Sequence, residues 1–328
     1  MKVGLMVNTQ AHPGVDMRAQ VPEMIEQVRV ARDLGFSSLW FPQHYLTAPT
    51  QMLQLSAVLP FLMAEAKGMT VGSDIIILPL QNPVALAEEA ATLDVLSGGN
   101  YVLGVGLGYR EQEYEAFGIP LSERAPRFSE SVGLMRRLWT EERVTHHGRF
   151  HRITEAGLSI RPSRPGGVPI WVAAQVNAAI KRAAAIGDAW LIVPGMDYDT
   201  LIPSMQLYRD TLREVGKEWP TEIPISRECY IGTTMASAVD DCREVLRYKY
   251  ASYDTWGLQN KLSEAESAKF DKMMRESFII GDKAFVKDEI ARYSETLGVN
   301  HFIMRVQWPG LSHEKALQCI RSLAEIFA

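Results

Sequence analysis

Residues 82–106, NPVALAEEAATLDVLSGGNYVLGVG, read as a helix followed at once by a strand. Asn82 is a residue type that caps helices, Pro83 suits the first helical position, and the glycine pair at 98–99 is suited to end the helix. The apolar run 101–106 is typical of a buried strand. This stretch therefore predicts a helix–strand unit of the kind that builds parallel sheets.

The glycines that end this strand invite comparison with the dinucleotide-binding fingerprint G-x-G-x-x-G. Gly104, Gly106 and Gly108 are spaced two residues apart, and Tyr109 occupies the place of the third fingerprint glycine. No helical pattern follows at once, because a glycine and a proline interrupt the next residues. A dinucleotide loop is therefore not favoured, and the glycines are expected to let the backbone approach something flat or crowded.

The same alternation runs along the whole chain. Eight nearly continuously apolar strands alternating with helices indicate one α/β domain over residues 1–328, with a (β/α)8 barrel as the predicted fold and a doubly wound open sheet as the alternative. Residues 140–168 are expected to be an irregular insertion. The predicted strands are 2–7, 37–42, 69–80, 101–106, 169–174, 189–194, 222–232 and 300–308, and the predicted helices are 21–35, 52–66, 82–99, 127–139, 177–186, 199–216, 235–250, 283–297 and 312–327.

Composition narrows the class of protein only slightly. A net charge of −5 argues weakly against a nucleic-acid or anionic-membrane partner. No stretch approaches the ~20 apolar residues of a membrane span, and the first residues lack the features of a secretory signal. The three cysteines are far apart, which fits buried thiols in a reducing compartment. We expect a cytoplasmic protein.

Candidate functional residues follow the strands, because the active site of such a barrel lies at the strand C-termini. His44 comes just after strand two and can exchange a proton near neutral pH, although a surface or capping histidine fits its position equally well. Arg110, Glu111 and Glu113 follow strand four, where a solvated charged loop is the favoured interpretation. The histidines at 146, 147 and 151 lack partners at ligand spacing, so no metal site is predicted.

Two arginines, Arg124 and Arg127, lie at the start of the helix after strand four, where the helix dipole disfavours positive charge. An external anion such as phosphate is one explanation, since arginine binds phosphate bidentately. An ion pair with Glu123 or Glu130 is an equally good alternative.

Several linked stretches closely resemble the bacterial luciferase-like flavin monooxygenase superfamily. They cover nearly the whole chain, and together they are specific to the superfamily, although none of them fixes the substrate. The stretches are residues 82–118, SERAPRFSESVGLMRRLW at 122–139, HGRFHRI at 147–153, VPIWVAAQVNAAIKRAAAIGDAWLI at 168–192 and IIGDKAFVKDEIARYSETLGVNHFIMR at 279–305.

The resemblance implies a (β/α)8 barrel that holds a flavin-type cofactor at the strand C-termini. The family's active-site histidine falls on His44, and the acidic residue of its strand-four loop falls on Glu113. A non-proline cis peptide bond under the flavin ring falls between Asp74 and Ile75. The other implied cofactor contacts are Ser73, Gly106, the phosphate-binding Arg124, and the phosphate-loop residues Gln175, Val176 and Asn177.

The chain departs from luciferase around the cofactor phosphate. Gln175 and Val176 replace the glutamate and serine of luciferase, and Leu107 stands where luciferase has a second arginine. Phosphate binding would therefore rely on backbone N–H groups at the start of a helix, on Asn177 and on arginine.

The function implied is that of a two-component monooxygenase. Reduced FMN from a separate flavin reductase would react with oxygen, and the flavin hydroperoxide would oxidise a small organic substrate. A deazaflavin (coenzyme F420)-dependent oxidoreductase and a non-catalytic flavin-binding homologue are the alternatives. Residues 250–281 are the candidate mobile lid, with a surface helix pair as the alternative. A homodimer through helices near strands two and three is expected from the resemblance.

Overall fold

The computed structural model describes residues 1–255 and 264–328 and contains a closed barrel of eight parallel strands. Each strand is hydrogen-bonded to the next, and the last pairs with the first, so that Lys2 lies opposite His301. The predicted (β/α)8 barrel is confirmed. The strands are β1 Lys2–Met6, β2 Ser38–Phe41, β3 Thr70–Ser73, β4 Tyr101–Gly106, β5 Ile170–Ala174, β6 Ala189–Ile192, β7 Pro224–Ile231 and β8 His301–Arg305.

Helices cover the outside of the barrel, and their ends follow the expected local signals. The side chain of Asn82 accepts hydrogen bonds from the backbone N–H groups of Val84 and Ala85, and Gly98 and Gly99 have positive φ just after that helix ends. The helices are α1 Met17–Asp33, α2 Leu55–Met63, α3 Pro83–Leu96, α4 Glu111–Ala116, α5 Arg124–Thr140, α6 Asn177–Ile186, α7 Tyr198–Glu214, α8 Met235–Thr255, α9 Glu264–Glu276, α10 Lys283–Leu297 and α11 His313–Phe327.

The inside of the barrel is filled with side chains. Trp40 and Trp171 stack with their ring centroids 4.9 Å apart, and Met6 and Leu191 belong to the same apolar cluster. Gly4 makes room for this cluster, because a Cβ at that position would lie 2.9 Å from the Nε1 of Trp40. A packed interior directs ligand binding to the ends of the barrel, and barrels of this kind bind at the C-terminal rim.

Two predicted segments differ from the structure. The strand expected over 69–80 is broken, because the backbone leaves β3 after Ser73 and resumes pairing only at Ile76–Ile77, which lies beside β4. The insertion at 140–168 is not irregular throughout, since Val144–His147 and Arg152–Ala156 form an antiparallel pair.

The candidate lid at 250–281 includes the end of α8, all of α9 and a short strand, Ile279–Gly281, that pairs with β7. Phe270 and Phe278 are buried and pack near Tyr250, as the alternative of a packed helix pair expects. Residues 256–263 of the candidate lid, including Trp256, lie outside the described residues. The mobile lid therefore stays a prediction.

Two smaller observations concern the sequence-based class of protein. Cys229, Cys242 and Cys319 are buried and not disulfide-bonded, as predicted. Across residues 1–255 and 264–328, every helix is too short or too polar to cross a lipid bilayer.

Candidate active site

His44 and Glu113, the two predicted catalytic residues, meet at the C-terminal rim of the barrel. His44 lies in the loop after β2, and Glu113 lies in α4, which follows β4. The Nδ1 atom of His44 is 3.2 Å from the Oε1 atom of Glu113, and the backbone N–H of Tyr45 donates to the same oxygen at 2.8 Å. The Glu113 side chain is fully buried while that of His44 is 16% exposed, so the imidazole is the more accessible partner.

The Glu113 carboxylate is stabilised in its ionised form. Burial alone would raise its pKa, but the hydrogen bonds and positive charge around it outweigh burial, and the net effect is a lowered pKa. The lowering comes from His44, from the Tyr45 N–H and from Arg110. The second carboxylate oxygen, Oε2, is buried and makes no hydrogen bond to the described residues. An ionised carboxylate can only accept, so the Nδ1 of His44 must carry the shared proton.

Arg110 corrects the expectation of a solvated loop after β4. Its guanidinium is buried and lies 3.2 Å from the Oε1 of Glu113. Glu111 and Gln112 are exposed, as a solvated loop would require, but Arg110 and Glu113 on either side of them are buried. The spacing of three residues between Arg110 and Glu113, which brings two side chains together on a helix, is the sequence signal that could have indicated this pair.

The break after β3 is linked to the loop that carries His44, because the backbone N–H of Ile77 donates to the side-chain oxygen of Gln43 at 3.1 Å, and it contains the expected backbone feature. The peptide bond between Asp74 and Ile75 is cis, as the resemblance implied. The Asp74 N–H donates to the carbonyl of Phe41 in β2, at 2.8 Å. The hydroxyl of Ser73 donates to the carbonyl of Gly104 in β4 at 2.7 Å, so this predicted cofactor contact has a partner within the sheet.

Gly106 makes room for the irregular backbone at Asp74 and Ile75, which we call the bulge. A Cβ at Gly106 would lie 2.9 Å from the Cδ1 of Ile75, so glycine allows the bulge to sit against β4.

Burial raises the pKa of Asp74 to about 6, with Ser226 and Arg305 acting in the opposite direction. Its buried Oδ2 makes no hydrogen bond to the described residues. The side chain is therefore a carboxyl that changes charge near neutral pH.

The predicted phosphate residues lie together at the open start of α6. Gln175, Val176 and Asn177 are exposed, and Val176 gives the helix no side-chain cap. The first N–H groups of a helix are anion-binding donors when no side chain caps them. This end of α6 is therefore able to bind an anionic group.

Two arginines approach each other near this helix. Arg124 is the first residue of α5, and its Nη1 lies 3.5 Å from the carbonyl of Gly108. Burial and the charge of Arg124 both lower the pKa of Arg182, which lies in α6. Neither arginine is ion-paired with a carboxylate of the described residues, whereas Arg127 pairs with Glu123 at 2.8 Å. The ion-pair interpretation thus holds for Arg127 alone, and the sequence prediction had missed Arg182.

A group of buried charges lies on β7 and at the end of β8, and no role is predicted for it from the sequence. Glu228 of β7 forms an ion pair with Lys249 of α8 and accepts a hydrogen bond from the indole of Trp308. Arg305, at the end of β8, lowers the pKa of Glu228 together with Lys249, against the effect of burial. Charged residues at the ends of otherwise apolar strands were the available signal, because charges there face the rim.

Fold and rim together define a (β/α)8-barrel protein that has, at one end, a histidine–glutamate pair with a buried carboxylate and a helix start without a side-chain cap. The model of the luciferase-like monooxygenases matches residues 1–301, and the chain belongs to that family.

Among curated relatives, an F420-dependent glucose-6-phosphate dehydrogenase of Kineococcus radiotolerans is 31% identical over 191 residues, or 54% of this chain and 55% of that protein. The alignments to the first curated relatives cover 55% to 66% of those proteins.

Two solved structures share the fold over nearly the whole chain. The monooxygenase RslO1 from Streptomyces bottropensis has a TM-score of 0.83 at 24% identity, covering 99% of this chain and 98% of the other. The oxygenating constituent of 3,6-diketocamphane monooxygenase of Pseudomonas putida, in complex with FMN, has a TM-score of 0.77 at 18% identity, covering 99% and 97%. At these identities the similarity concerns the fold.

Proposed function

We propose that the chain is a flavin-dependent monooxygenase that binds reduced FMN at the barrel rim and acts on a small organic substrate. The observation that carries the proposal is the His44–Glu113 pair, in which a buried ionised carboxylate holds a partly accessible imidazole at the C-terminal rim of the barrel. Such a pair suits proton transfer next to a cofactor. A degenerate, non-catalytic homologue has no need to keep this pair.

The residues near α6 fit the phosphate of a flavin nucleotide. Arg124 and Arg182 supply two cationic groups, and the uncapped N–H groups after Val176 supply neutral donors. A bound phosphate would offset the mutual repulsion of the two arginines. We propose Gln175 and Asn177 as further contacts of the phosphate, and Ser73, Ile75 and Gly106 as neighbours of the ring.

The protein's own part in the reaction is proton handling and positioning. When bound, the reduced ring supplies the redox chemistry. His44, with its proton on Nδ1 shared with Glu113, uses Nε2 to accept a proton from the substrate or return one to it. Glu113 keeps the imidazole oriented and stabilises its positive charge during that transfer. Asp74 is a second group that can hold or release a proton close to neutral pH.

F420 is the second candidate cofactor, and the curated relatives favour it. A relative that shares 31% identity is named an F420-dependent glucose-6-phosphate dehydrogenase. With F420, the same His44 would take a proton from a substrate hydroxyl during hydride transfer, and no oxygen would be needed. With FMN, molecular oxygen and a separate flavin reductase are required partners.

Anaerobic titration of the purified chain with reduced FMN and, in parallel, with F420 decides between the cofactors. We expect one of the two cofactors to bind saturably, and the change in tryptophan fluorescence measures the binding. Arg124→Ala and Arg182→Ala should each weaken binding about tenfold, since a charge-assisted hydrogen bond contributes about 1.5–3 kcal/mol. Arg127→Ala is the matched control and should change affinity less than twofold. Absence of binding to either cofactor would refute the proposal.

We also propose a homodimer through α2 and α3. Phe61 in α2 and Leu96 in α3 are large apolar residues, and their side chains are exposed by 53% and 66%. Light scattering of the wild type and of Phe61→Asp measures the expected change from dimer to monomer.

A further inference from the structure

Arg110 connects the catalytic carboxylate with the backbone that carries His44. Its guanidinium is 3% exposed. Nη1 donates to the carbonyl of Tyr45 and to the Oε1 of Glu113, the latter at 3.2 Å. Nη2 donates to the carbonyl of Leu46 at 3.2 Å and to the side-chain oxygen of Gln112 at 3.0 Å. One buried side chain thus joins α4 to the two residues that follow His44.

The backbone held by Arg110 has an unusual conformation. Leu46 has φ of 52°, in the left-handed region that residues with a Cβ seldom adopt. Its own side chain is half exposed, so apolar packing does little to fix this turn. The carbonyls of Tyr45 and Leu46 both accept hydrogen bonds from Arg110. The arginine therefore holds in place a turn that starts one residue after His44.

Arg110 also controls the charge next to His44. The Oε1 atom of Glu113 is shared by three donors: Nδ1 of His44, the Tyr45 N–H and Arg110. Without the guanidinium, a buried carboxylate loses its permanent positive partner and takes up a proton more readily. A protonated Glu113 would donate to Nδ1 instead of accepting from it, and the proton of the neutral imidazole would then reside on Nε2.

Among residues 1–255 and 264–328, two tyrosines are the further titratable groups on which the Glu113 carboxylate acts. Tyr45 and Tyr114 lie near it, and both have their pKa raised by burial. The Tyr45 hydroxyl accepts from Gln81, and Glu89 is the further acid that acts on it. These groups are neutral or negative near neutral pH, so they do not replace the positive charge of the guanidinium.

We propose that Arg110 is a positioning residue that keeps the proton of neutral His44 on Nδ1 and so presents Nε2 as the proton acceptor. Only the catalytic consequence rests on the proposed function, because the tautomer is a property of the protein without cofactor or substrate. The assignment also explains why an arginine is needed: two carbonyls and a carboxylate demand a planar, permanently charged donor with several N–H groups.

The test is ¹⁵N NMR of histidine-labelled protein without cofactor, with His44 assigned by comparison with His44→Gln. In the wild type we expect the neutral ring to be protonated on Nδ1. Arg110→Met should lower the ratio of Nδ1–H to Nε2–H at least fivefold, and Arg110→Gln should act in the same direction if the methionine variant does not fold. Arg110→Lys keeps the charge and should restore at least half of the change. Arg29→Met, which removes an exposed arginine paired with Glu65, is the matched control and should leave the ratio unchanged.

An unchanged tautomer ratio in a folded, uncharged Arg110 variant overturns the proposal. Activity gives an independent readout: kcat should fall about 10²-fold with less than a threefold change in KM, as expected when a proton acceptor is presented in the wrong form. A shifted ratio in a protein that binds neither cofactor would refute the proposed function and leave the assignment of Arg110 intact. An unchanged ratio in an Arg110 variant of an enzyme that is active would refute the assignment of Arg110 and leave the proposed function intact.

Discussion

The two ends of the barrel each contain a histidine paired with a glutamate, and the two pairs are buried in opposite ways. At the C-terminal rim, Glu113 is fully buried and His44 is partly exposed. At the other end, Nδ1 of His301 lies 2.7 Å from Glu222, and here the histidine is buried while the glutamate side chain is 24% exposed. The partner that reaches the surface is thus the imidazole at the rim and the carboxylate at the base.

The surroundings of His301 indicate a structural role for its pair with Glu222. Its Nε2 lies 2.6 Å from the hydroxyl of Ser38, and that hydroxyl accepts a hydrogen bond from the indole of Trp40. The ionised Glu222 carboxylate can only accept, so the neutral ring carries its proton on Nδ1 and Nε2 accepts from the Ser38 hydroxyl; both ring nitrogens of His301 are thus used inside the scaffold. The two pairs therefore differ in which side chain is accessible: the proposed function uses the exposed imidazole at the rim for proton transfer, whereas the buried imidazole at the base is bonded only within the scaffold.

The largest expected effect is on activity at the rim. His44→Gln should lower kcat about 10²- to 10⁴-fold, the range that a positioned acid–base group contributes. Its free energy of unfolding should change by less than about 1 kcal/mol, because His44 is only partly buried. Steady-state kinetics and urea unfolding of the same preparation measure both. A variant that keeps wild-type turnover would remove His44 from its proposed role.

At the base the effects should be reversed. His301→Gln should lower the free energy of unfolding by about 2–4 kcal/mol, because it disrupts a buried hydrogen-bond network and leaves Ser38 or Glu222 without its partner. The kcat of the folded fraction should stay within twofold of the wild type. Urea unfolding followed by circular dichroism provides the measurement. Loss of turnover without loss of stability would contradict the contrast between the two ends.

Much of the scaffold on which these pairs sit was predictable from local pattern. The bounds of β4, α6 and α10 agree with the sequence-based predictions, because each is delimited by caps or glycines within a few residues. The antiparallel pair at Val144–His147 and Arg152–Ala156 was not predicted, since its strands are short and mostly exposed and lack apolar alternation.

The histidine–glutamate pairs were predictable only in part. His44 and Glu113 were found through the resemblance, but the burial of Arg110 was not, because it depends on carbonyls 64 and 65 residues away in sequence. Glu222 and His301 are 79 residues apart, and no local signal links them. Contacts of this kind are set by the closure of the barrel, which a periodic pattern does not specify.

The His301–Glu222 pair should also make the free energy of unfolding depend on pH. Burial lowers the pKa of His301 below its ordinary value, more than Glu222 raises it. A histidine with a lowered pKa in the folded state stabilises the fold above its unfolded pKa of about 6.5, and this contribution is lost as pH falls from there toward the folded pKa. The urea midpoint should therefore fall between pH 8 and pH 5.5.

The comparison of variants assigns this pH effect to one residue. His301→Gln should show a smaller fall in urea midpoint over that range than the wild type. His151, whose pKa burial also lowers, contributes with the same sign, so His151→Gln is the necessary control. If His301→Gln leaves the pH dependence of the urea midpoint unchanged while His151→Gln abolishes it, His301 is not the group that titrates.

The smallest expected effect distinguishes the cations that accompany the two glutamates. Glu113 has the buried Arg110, whereas Glu222 has Lys2, whose side chain is 51% exposed. An exposed ion pair contributes about 0–1 kcal/mol, so Lys2→Met should lower the free energy of unfolding by less than about 1 kcal/mol. The difference in free energy of unfolding between the wild type and Lys2→Met should vanish in 1 M NaCl, where the Debye length is about 3 Å. Persistence of the difference at high salt would mean that Lys2 acts through packing of its aliphatic chain, and that charge matters only for the buried pair at the rim.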